Sequence, residues 1–179
     1  MKTTLPLLII SCLLGFSSCN KNSDKAGTST LQVRLTDGPL DADAVYLDLV
    51  GVQVKTDRGI DDDITDDDID DSWLTLEPRI GIVDLLTLRN GADILVAQGV
   101  FPLGTVKEIR LILGNNNTIK VNGQIYPLVI PSGQESGLKI KLHKRLLAPV
   151  ETVLLDFDAA LSIKQEPDGY KLRPVVMVK

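Results

Sequence analysis

From Leu31 onward, apolar and polar residues alternate with the period of two that is typical of β-strands. Leu31, Val33 and Leu35 alternate with polar residues, and Asp37-Gly38-Pro39 ends this run as a turn. The same reasoning predicts further strands over residues 45–54, 73–76, 81–88, 106–113, 119–121, 124–128, 138–143, 152–158 and 170–178. Residues 92–100 are compatible with either a short helix or another strand.

Three local signals refine this pattern. The apolar positions switch from 45, 47 and 49 to 50, 52 and 54 beside Gly51, which predicts a β-bulge, because one extra residue re-aims a strand. Asn122-Gly123 lies between two apolar runs and is a strong short-range hairpin signal. Asn115-Asn116-Asn117 predicts another turn.

Short strands separated by turns every eight to twelve residues, without a long amphipathic helix, are typical of all-β domains. We therefore predict an antiparallel β-sandwich with at most one short helix, over residues 29–179. About 150 residues fit one domain, and the abundance of Val, Ile and Leu can supply its core.

The first 18 residues have the pattern of a bacterial export signal. Lys2 provides a positive start, and the following stretch from Leu5 to Phe16 is almost entirely apolar. These twelve residues suit a signal peptide, whereas a membrane-spanning helix needs about 20. Residues 1–18 are therefore predicted to be removed from the mature protein.

Cys19 is predicted to become the lipid-bearing first residue of the mature chain. Ser17 and Ser18 supply the small residues before it, and the segment resembles the looser bacterial lipobox of Bacteroidetes, although Phe16 replaces the usual Leu. Cys12 also follows a serine, but cleavage there would leave an apolar segment at the new terminus. A disulfide at Cys19 fails as an alternative because no other cysteine survives cleavage.

Residues 19–28 are predicted to tether the domain to a membrane. The residues after Cys19 are polar and include Gly27, so they indicate a flexible linker with an r.m.s. span of about 15–18 Å. Multiple acyl chains make such an attachment stable. Asn20 does not resemble an inner-membrane retention signal, which favours the outer membrane, with the periplasmic and external faces both left open.

The negative charge of the chain is concentrated in one predicted loop, residues 57–72. The chain has 24 acidic and 19 basic residues. Residues 57–71 contain nine Asp and one Arg, a net charge of −8, so the rest of the mature chain sums to about +2.

This acidic loop raises the hypothesis of a weak Ca²⁺ site. Hard cations such as Ca²⁺ take six to eight oxygen ligands, and eight carboxylates lie within eleven residues here. The pattern is not an EF-hand, and a solvated loop that keeps the domain soluble is the simpler interpretation. No other cofactor is expected. The candidate ligands are Asp61, Asp62, Asp63, Asp66, Asp67, Asp68, Asp70 and Asp71.

A second carboxylate pair, Asp156 and Asp158, is predicted on one face of a strand with a separation of about 7 Å. That spacing could serve a glycosidase, but strand ends often carry such pairs facing water or a lysine. His143, the single histidine, has the parity of the polar face and is predicted to point to solvent. One exposed histidine establishes neither a catalytic triad nor a zinc site.

Lys139, Lys141, Lys144 and Arg145 form a modest basic strip. A solvated sheet face explains this strip better than nucleic-acid binding does, so no nucleic-acid partner is expected. The strip could instead receive the acidic loop, within one molecule or between neighbours.

Six blocks of the sequence, taken in order, are the basis of a family resemblance. The blocks are 31–39 (LQVRLTDGP), 83–91 (VDLLTLRNG), 107–113 (KEIRLIL), 126–139 (YPLVIPSGQESGLK), 155–159 (LDFDA) and 170–175 (YKLRPV). Together they resemble the Bacteroidetes lipoprotein domain of unknown function 4382. The resemblance covers nearly all of residues 31–178 and implies a transthyretin-like or immunoglobulin-like sandwich. It implies no activity, and the Asp-rich segment goes beyond the family pattern.

The sequence therefore favours a lipid-anchored envelope protein whose domain is a non-enzymatic binding or structural module. Its expected partners are the membrane, through Cys19, and an envelope protein or glycan. The alternatives are a glycan-acting hydrolase that uses Asp156 and Asp158, and a weak calcium-binding adhesion domain that uses the acidic loop.

Overall fold

The computed structural model describes residues 27–57, 73–79, 81–131 and 137–179. Within these residues the chain forms fourteen strands, one short α-helix and one 3₁₀ helix, Leu85–Leu88. The strands and the α-helix are β1 (Thr28–Asp37), β2 (Ala44–Thr56), β3 (Leu74–Thr75), β4 (Glu77–Pro78), β5 (Ile82–Asp84), β6 (Ile94–Pro102), β7 (Gly104–Leu113), β8 (Thr118–Val121), β9 (Gln124–Val129), β10 (Leu138–Leu146), β11 (Val150–Phe157), α1 (Ala159–Ser162), β12 (Ile163–Glu166), β13 (Gly169–Leu172) and β14 (Val176–Val178).

The strands form two sheets. The first sheet has the order β14-β11-β1-β6-β4, and the second has the order β10-β7-β2-β8-β9-β13-β12, with β3 and β5 also paired to β2. The predicted all-β sandwich is confirmed. Both sheets are mixed rather than purely antiparallel, because β1 pairs with β11 and β13 pairs with β9 in parallel.

The core lies where the apolar sides of the strands meet. Leu31, Val33 and Leu35 of β1 are at most 2% exposed, while Gln32 and Arg34 between them are half-buried, as the alternation predicts. Burying one such side chain completely contributes about 1.5–3 kcal/mol to folding. The same side chains fix the register of β1, because a slip of one residue would turn them outward.

The predicted bulge and hairpin are both present. The pairing of β2 with β7 shifts register between Leu49 and Gly51, which leaves Val50 53% exposed while Val52 is buried. Asn122 and Gly123 have φ angles of 51° and 79°, so both adopt the left-handed conformation that a tight hairpin between β8 and β9 requires.

The strand predicted over 81–88 is wrong in its second half. Only Ile82–Asp84 is extended, and Leu85–Leu88 is a 3₁₀ helix. The carboxylate of Asp84 accepts a hydrogen bond from Leu86 N (3.1 Å), and the backbone carbonyl of Asp84 accepts one from Thr87 Oγ1 (2.7 Å). These local bonds favour a helical turn over the extended ladder that the apolar pattern predicts.

The C-terminal third also contains more elements than predicted. The segment between β11 and β13 contains α1 and β12, and the turn at Pro167-Asp168 joins β12 to β13 rather than β11 to the last strand. The strand predicted over 170–178 is divided into β13 and β14, with Pro174, which lacks a backbone N–H, between them. Residues 92–100 resolve mainly into a strand, since β6 begins at Ile94.

Asn117 is expected to be essential to the turn between β7 and β8. It is 2% exposed; its Oδ1 accepts from Asp48 N (2.9 Å) and its Nδ2 donates to the Gly114 carbonyl (2.7 Å). Asn117→Ala would leave the buried Asp48 N and the partly buried Gly114 carbonyl without these partners, so we expect the free energy of unfolding to fall by about 2–4 kcal/mol in urea denaturation. Asn115→Ala, at an exposed position in the same turn, should change it by less than about 0.5 kcal/mol. Equal urea midpoints for the two variants would contradict this role.

Candidate functional site

Two groups of predicted site residues lie outside the described part of the chain. The first is the lipidation site, Cys19, and the second is the set of eight candidate calcium ligands in the acidic loop. Lipidation and calcium binding therefore stay predictions. Among the residues that the structure describes, no helix has the length and apolarity needed to cross a membrane. The candidate calcium ligands are Asp61, Asp62, Asp63, Asp66, Asp67, Asp68, Asp70 and Asp71.

A surface rich in cationic side chains lies on three adjacent strands, β10, β7 and β2. Two cross-strand rows build it, because Lys139 pairs with Arg110, and Lys141 and Lys55 both pair with Glu108. Lys107 extends the surface, so five cations surround one carboxylate. We call this surface the cationic face and define it by Lys55, Lys107, Glu108, Arg110, Lys139 and Lys141.

A groove of about 330 Å³ crosses the cationic face. Lys55, Lys107, Glu108 and Lys141 line it, together with the half-buried Leu142. Neighbouring strands lie about 4.8 Å apart, so these side chains converge over a width of about 10 Å. The groove therefore offers several ammonium groups and one apolar contact to a ligand in an extended conformation.

Trp73 lies over one end of the cationic face. The guanidinium of Arg110 lies 3.9 Å from the centre of its indole ring, and the ammonium of Lys139 lies 6.0 Å from it. Such cation–π contacts hold cations and an aromatic surface in a fixed arrangement. Arg110 also donates to Gln53 Oε1 (3.3 Å), which fixes the guanidinium against the sheet.

Asp57 and Trp73, the described residues at the two sides of the acidic loop, both lie beside the cationic face. Asp57 follows β2; its backbone N donates to the Thr105 carbonyl (2.9 Å), and its carboxylate accepts from Thr105 N (2.7 Å). Burial alone would raise the pKa of the Asp57 carboxyl, but hydrogen bonds from the backbone and side chain of Thr105 and from its own backbone N–H, together with the charge of Lys107, lower this pKa overall. On the other side, Trp73 precedes β3, which pairs with β2. Asp57 and Trp73 thus lie beside the strands that carry the cations.

The basic strip predicted from sequence is divided by the fold. Lys139 and Lys141 belong to the cationic face, but the pairing of β10 with β7 shifts register between Lys141 and Lys144. Lys144 pairs with Glu151 (2.8 Å), and Arg145 lies at the end of the domain beside Asp57 and Leu147. His143 is exposed, as predicted.

Lys55, Lys107 and Arg110 were not identified as site residues from sequence. They lie on β2 and β7, and only the sheet order β10-β7-β2 brings them beside Lys139 and Lys141. Glu108 and Arg110 alternate with the buried Ile109 and Leu111, and this alternation could have indicated a polar face on β7.

The carboxylates of Asp156 and Asp158 have different structural roles. Asp156 is 8% exposed and pairs with the ammonium of Lys179 (2.8 Å). Asp158 follows β11 and caps α1, since its carboxylate accepts from Leu161 N (2.9 Å). The prediction that both lie on one strand is wrong, because the cap ends the strand at Phe157.

A third carboxylate, Asp37, lies at the same end of the first sheet. It is 5% exposed, and its Oδ1 accepts from Ala159 N (3.0 Å). Burial raises the pKa of Asp37 to about 6; hydrogen bonds from Ala159 and Gly38 oppose this, and the charges of Asp156 and Asp158 add to it. No group of three or more acidic, histidine or cysteine side chains within the described residues is placed to hold a metal ion.

Comparison with known proteins gives one result. The family model described as Domain of unknown function (DUF4382) matches residues 28–174, most of the chain. The chain belongs to this family. No curated protein and no solved structure matches the chain.

The DUF4382 match extends from β1 to the loop after β13, so it includes every residue of the cationic face. Residues 1–27, with the predicted export signal and most of the tether, precede it. The description of DUF4382 names no activity, so a functional proposal depends on the geometry described above.

Proposed function

We propose that this DUF4382 protein is anchored by lipid in the bacterial envelope, on the outer membrane, and that its domain is a non-enzymatic module that binds an acidic glycan. The observation that carries the binding role is the cationic face, where five cations and an indole ring lie on adjacent strands of one sheet. The anchor is supported by the apolar segment and small residues before Cys19.

The chemistry of the cationic face suits carboxylates on a sugar polymer. Ammonium groups on three strands would meet successive negative charges along an extended chain. The face of the Trp73 indole that Arg110 does not cover would offer a flat surface to a sugar ring. Because β-sheet positions are rigid, little conformational entropy would be lost on binding, apart from that of the lysine side chains.

The roles of Asp156 and Asp158 support a module without catalysis. A glycosidase needs two carboxylates that are free to exchange protons with substrate and water. Here one carboxylate pairs with Lys179 and the other caps α1. With these contacts, the two carboxylates are engaged separately and do not form an acid–base pair around a common substrate position.

Lys141→Glu is expected to weaken binding to alginate, a carboxylate-bearing glycan, by about fivefold, equivalent to about 1 kcal/mol. The substitution places a negative charge in the groove beside Glu108. Binding of the full protein should also weaken as salt is raised, since exposed charges are screened over about 10 Å at 0.1 M ionic strength. Calorimetry or biolayer interferometry with immobilised alginate would measure both effects.

Lys164→Glu is the matched control. Lys164 is exposed on β12, away from the cationic face, and its reversal changes the net charge by the same amount. Equal weakening by both substitutions would reduce the interaction to net charge and contradict a defined site. Equal binding of alginate and neutral dextran would also contradict it. Tighter alginate binding after removal of residues 61–71 would show that the acidic segment competes for the cationic face.

A further inference from the structure

The chain enters the domain between two turns. The carbonyl of Gly27 accepts a hydrogen bond from Leu103 N (2.9 Å) in the turn between β6 and β7. Thr30 N donates to the carbonyl of Pro149 (2.8 Å) in the turn between β10 and β11. These two bonds fix Gly27 and the start of β1 at one end of the sandwich.

This end carries a cluster of exposed apolar side chains. Leu147 is 63% exposed, Val150 is 53% exposed and Val100 is 65% exposed. Thr30 pairs with Val100 on one side and with Val150 on the other, so the two valines lie on the same face of three adjacent strands. We call Val100, Leu147, Ala148, Pro149 and Val150 the apolar end.

Leu147 is held in its exposed position by the turn itself. The carboxylate of Glu151 accepts from Leu147 N (3.3 Å) and Ala148 N (3.1 Å), and it pairs with Lys144. The preceding Leu146 is fully buried and anchors the end of β10 in the core. The exposure of Leu147 therefore follows from fixed contacts on both sides of the turn.

The charges described around the apolar end nearly balance. Lys144 pairs with Glu151, and Arg145 lies beside Asp57 at a second groove, which Leu147 also lines, while the charge of Lys107 also acts on Asp57. Three cations thus accompany two carboxylates. Attraction to anionic lipid would be small, so a contact with lipid here would depend on apolar burial.

We propose that the apolar end rests in the interfacial region of the phospholipid bilayer that carries the Cys19 anchor. This inference rests on the proposed lipidation. Only eight residues, Asn20 to Gly27, connect Cys19 to the start of β1, so Gly27 lies within about 30 Å of the lipid-bearing residue even when this segment is fully extended. Such a short link gives a high effective concentration of the apolar end at the surface, and amphipathic surfaces of this kind settle at the headgroup boundary.

The bilayer also accounts for the cluster better than a protein partner does. The same end of the domain receives the tether and exposes the apolar side chains, and the bilayer is the one surface that the tether brings to it. With the apolar end on the membrane, the outer face of the first sheet near the start of β1 would be turned toward the bilayer. The cationic face, which lies on the second sheet, would then be turned away from the membrane and open to polymers in the surrounding space.

Spin labels on the full lipoprotein in phosphatidylethanolamine–phosphatidylglycerol vesicles test this orientation. In the mature chain Cys19 is acylated, so Leu147→Cys provides a single free thiol for a nitroxide. Ile125→Cys is the matched control, because Ile125 is 61% exposed near the hairpin at the opposite end of β2. Both positions are exposed, so both variants should fold.

We expect the label at 147 to collide with a water-soluble nickel chelate about tenfold less often than the label at 125 does. A position at the headgroup boundary is shielded from a solute that stays in water. The difference should persist in 0.5 M salt. Vesicle flotation separates the two possible failures. If the protein floats with vesicles but both labels collide equally often with the chelate, the proposed docking of the apolar end is overturned and the lipid anchor is retained. A protein that fails to float would overturn both.

Discussion

Cys19→Ser is expected to abolish acylation of this protein, and the copies from which residues 1–18 are removed should move almost completely from the membrane fraction of cells to the soluble fraction. The thiol of Cys19 is the predicted acceptor of the diacylglycerol, and serine cannot replace it. Each buried CH₂ group of an acyl chain contributes about 0.8 kcal/mol, so loss of two or more chains removes nearly all membrane affinity. The apolar end alone, with three exposed aliphatic side chains, could not compensate for that loss.

Cell fractionation and mass spectrometry of the mature N-terminus would measure this effect. The wild-type protein should carry acyl mass on a peptide that begins at Cys19. Cys12→Ser is the control, because Cys12 lies in the predicted signal and its loss should leave both location and mass unchanged. An unmodified wild-type N-terminus, or a shift caused by Cys12→Ser instead, would contradict the assignment.

The second large effect concerns pH. The protein is expected to gain about 2 kcal/mol in free energy of unfolding when the pH falls from 7.5 to 4.5. Burial of Asp37 raises its pKa to about 6 from 3.8. The folded state therefore binds a proton more tightly than the unfolded state does. Stability from this group is complete below pH 3.8 and is lost as the pH rises through 6.

Asp37→Asn should flatten the profile over this range, because the amide cannot ionise but its oxygen can still accept from Ala159 N. Asp41→Asn removes a charge at an exposed position nearby in the chain and should keep the wild-type profile. Urea denaturation at several pH values would compare the three proteins. The carboxylate of Asp57, whose pKa is lowered, acts in the opposite sense, but only as the pH falls below its ordinary value of 3.8. A wild-type profile that is flat between pH 4.5 and 7.5 would refute the assignment to Asp37.

Most strands were predictable because their signal is local. In β1 and β10 the side chains alternate between core and surface, so the burial of Leu31 and Val33 and the exposure of Lys139 follow from their order in the chain. The Asn122-Gly123 hairpin was predictable for the same reason, since two adjacent residues supply the positive φ angles. Periodicity is less informative where a side chain bonds to its own backbone, as Asp84 and Asp158 do.

The candidate site was only partly predictable, because it depends on sheet order. Lys139 and Lys141 were recognised as one polar face, but Arg110 and Lys55 reach that face only through pairing between residues far apart in sequence. The bulge that separates Lys144 from Lys141 has no such clear local signal. A pattern along one strand cannot say which strand will lie beside it.

The parallel pairing of β1 with β11 has a consequence for the order in which the chain folds. Leu35 pairs with Leu155, so the first strand to be synthesised must wait for a partner 120 residues later (155 − 35 = 120). Contacts between such distant residues form slowly, because a long loop must close first. Until β11 arrives, one edge of β1 presents unpaired N–H and C=O groups to other chains. The nascent protein is therefore most prone to aggregation before residue 150 emerges, and a chaperone that covers β1 during that interval would raise its yield.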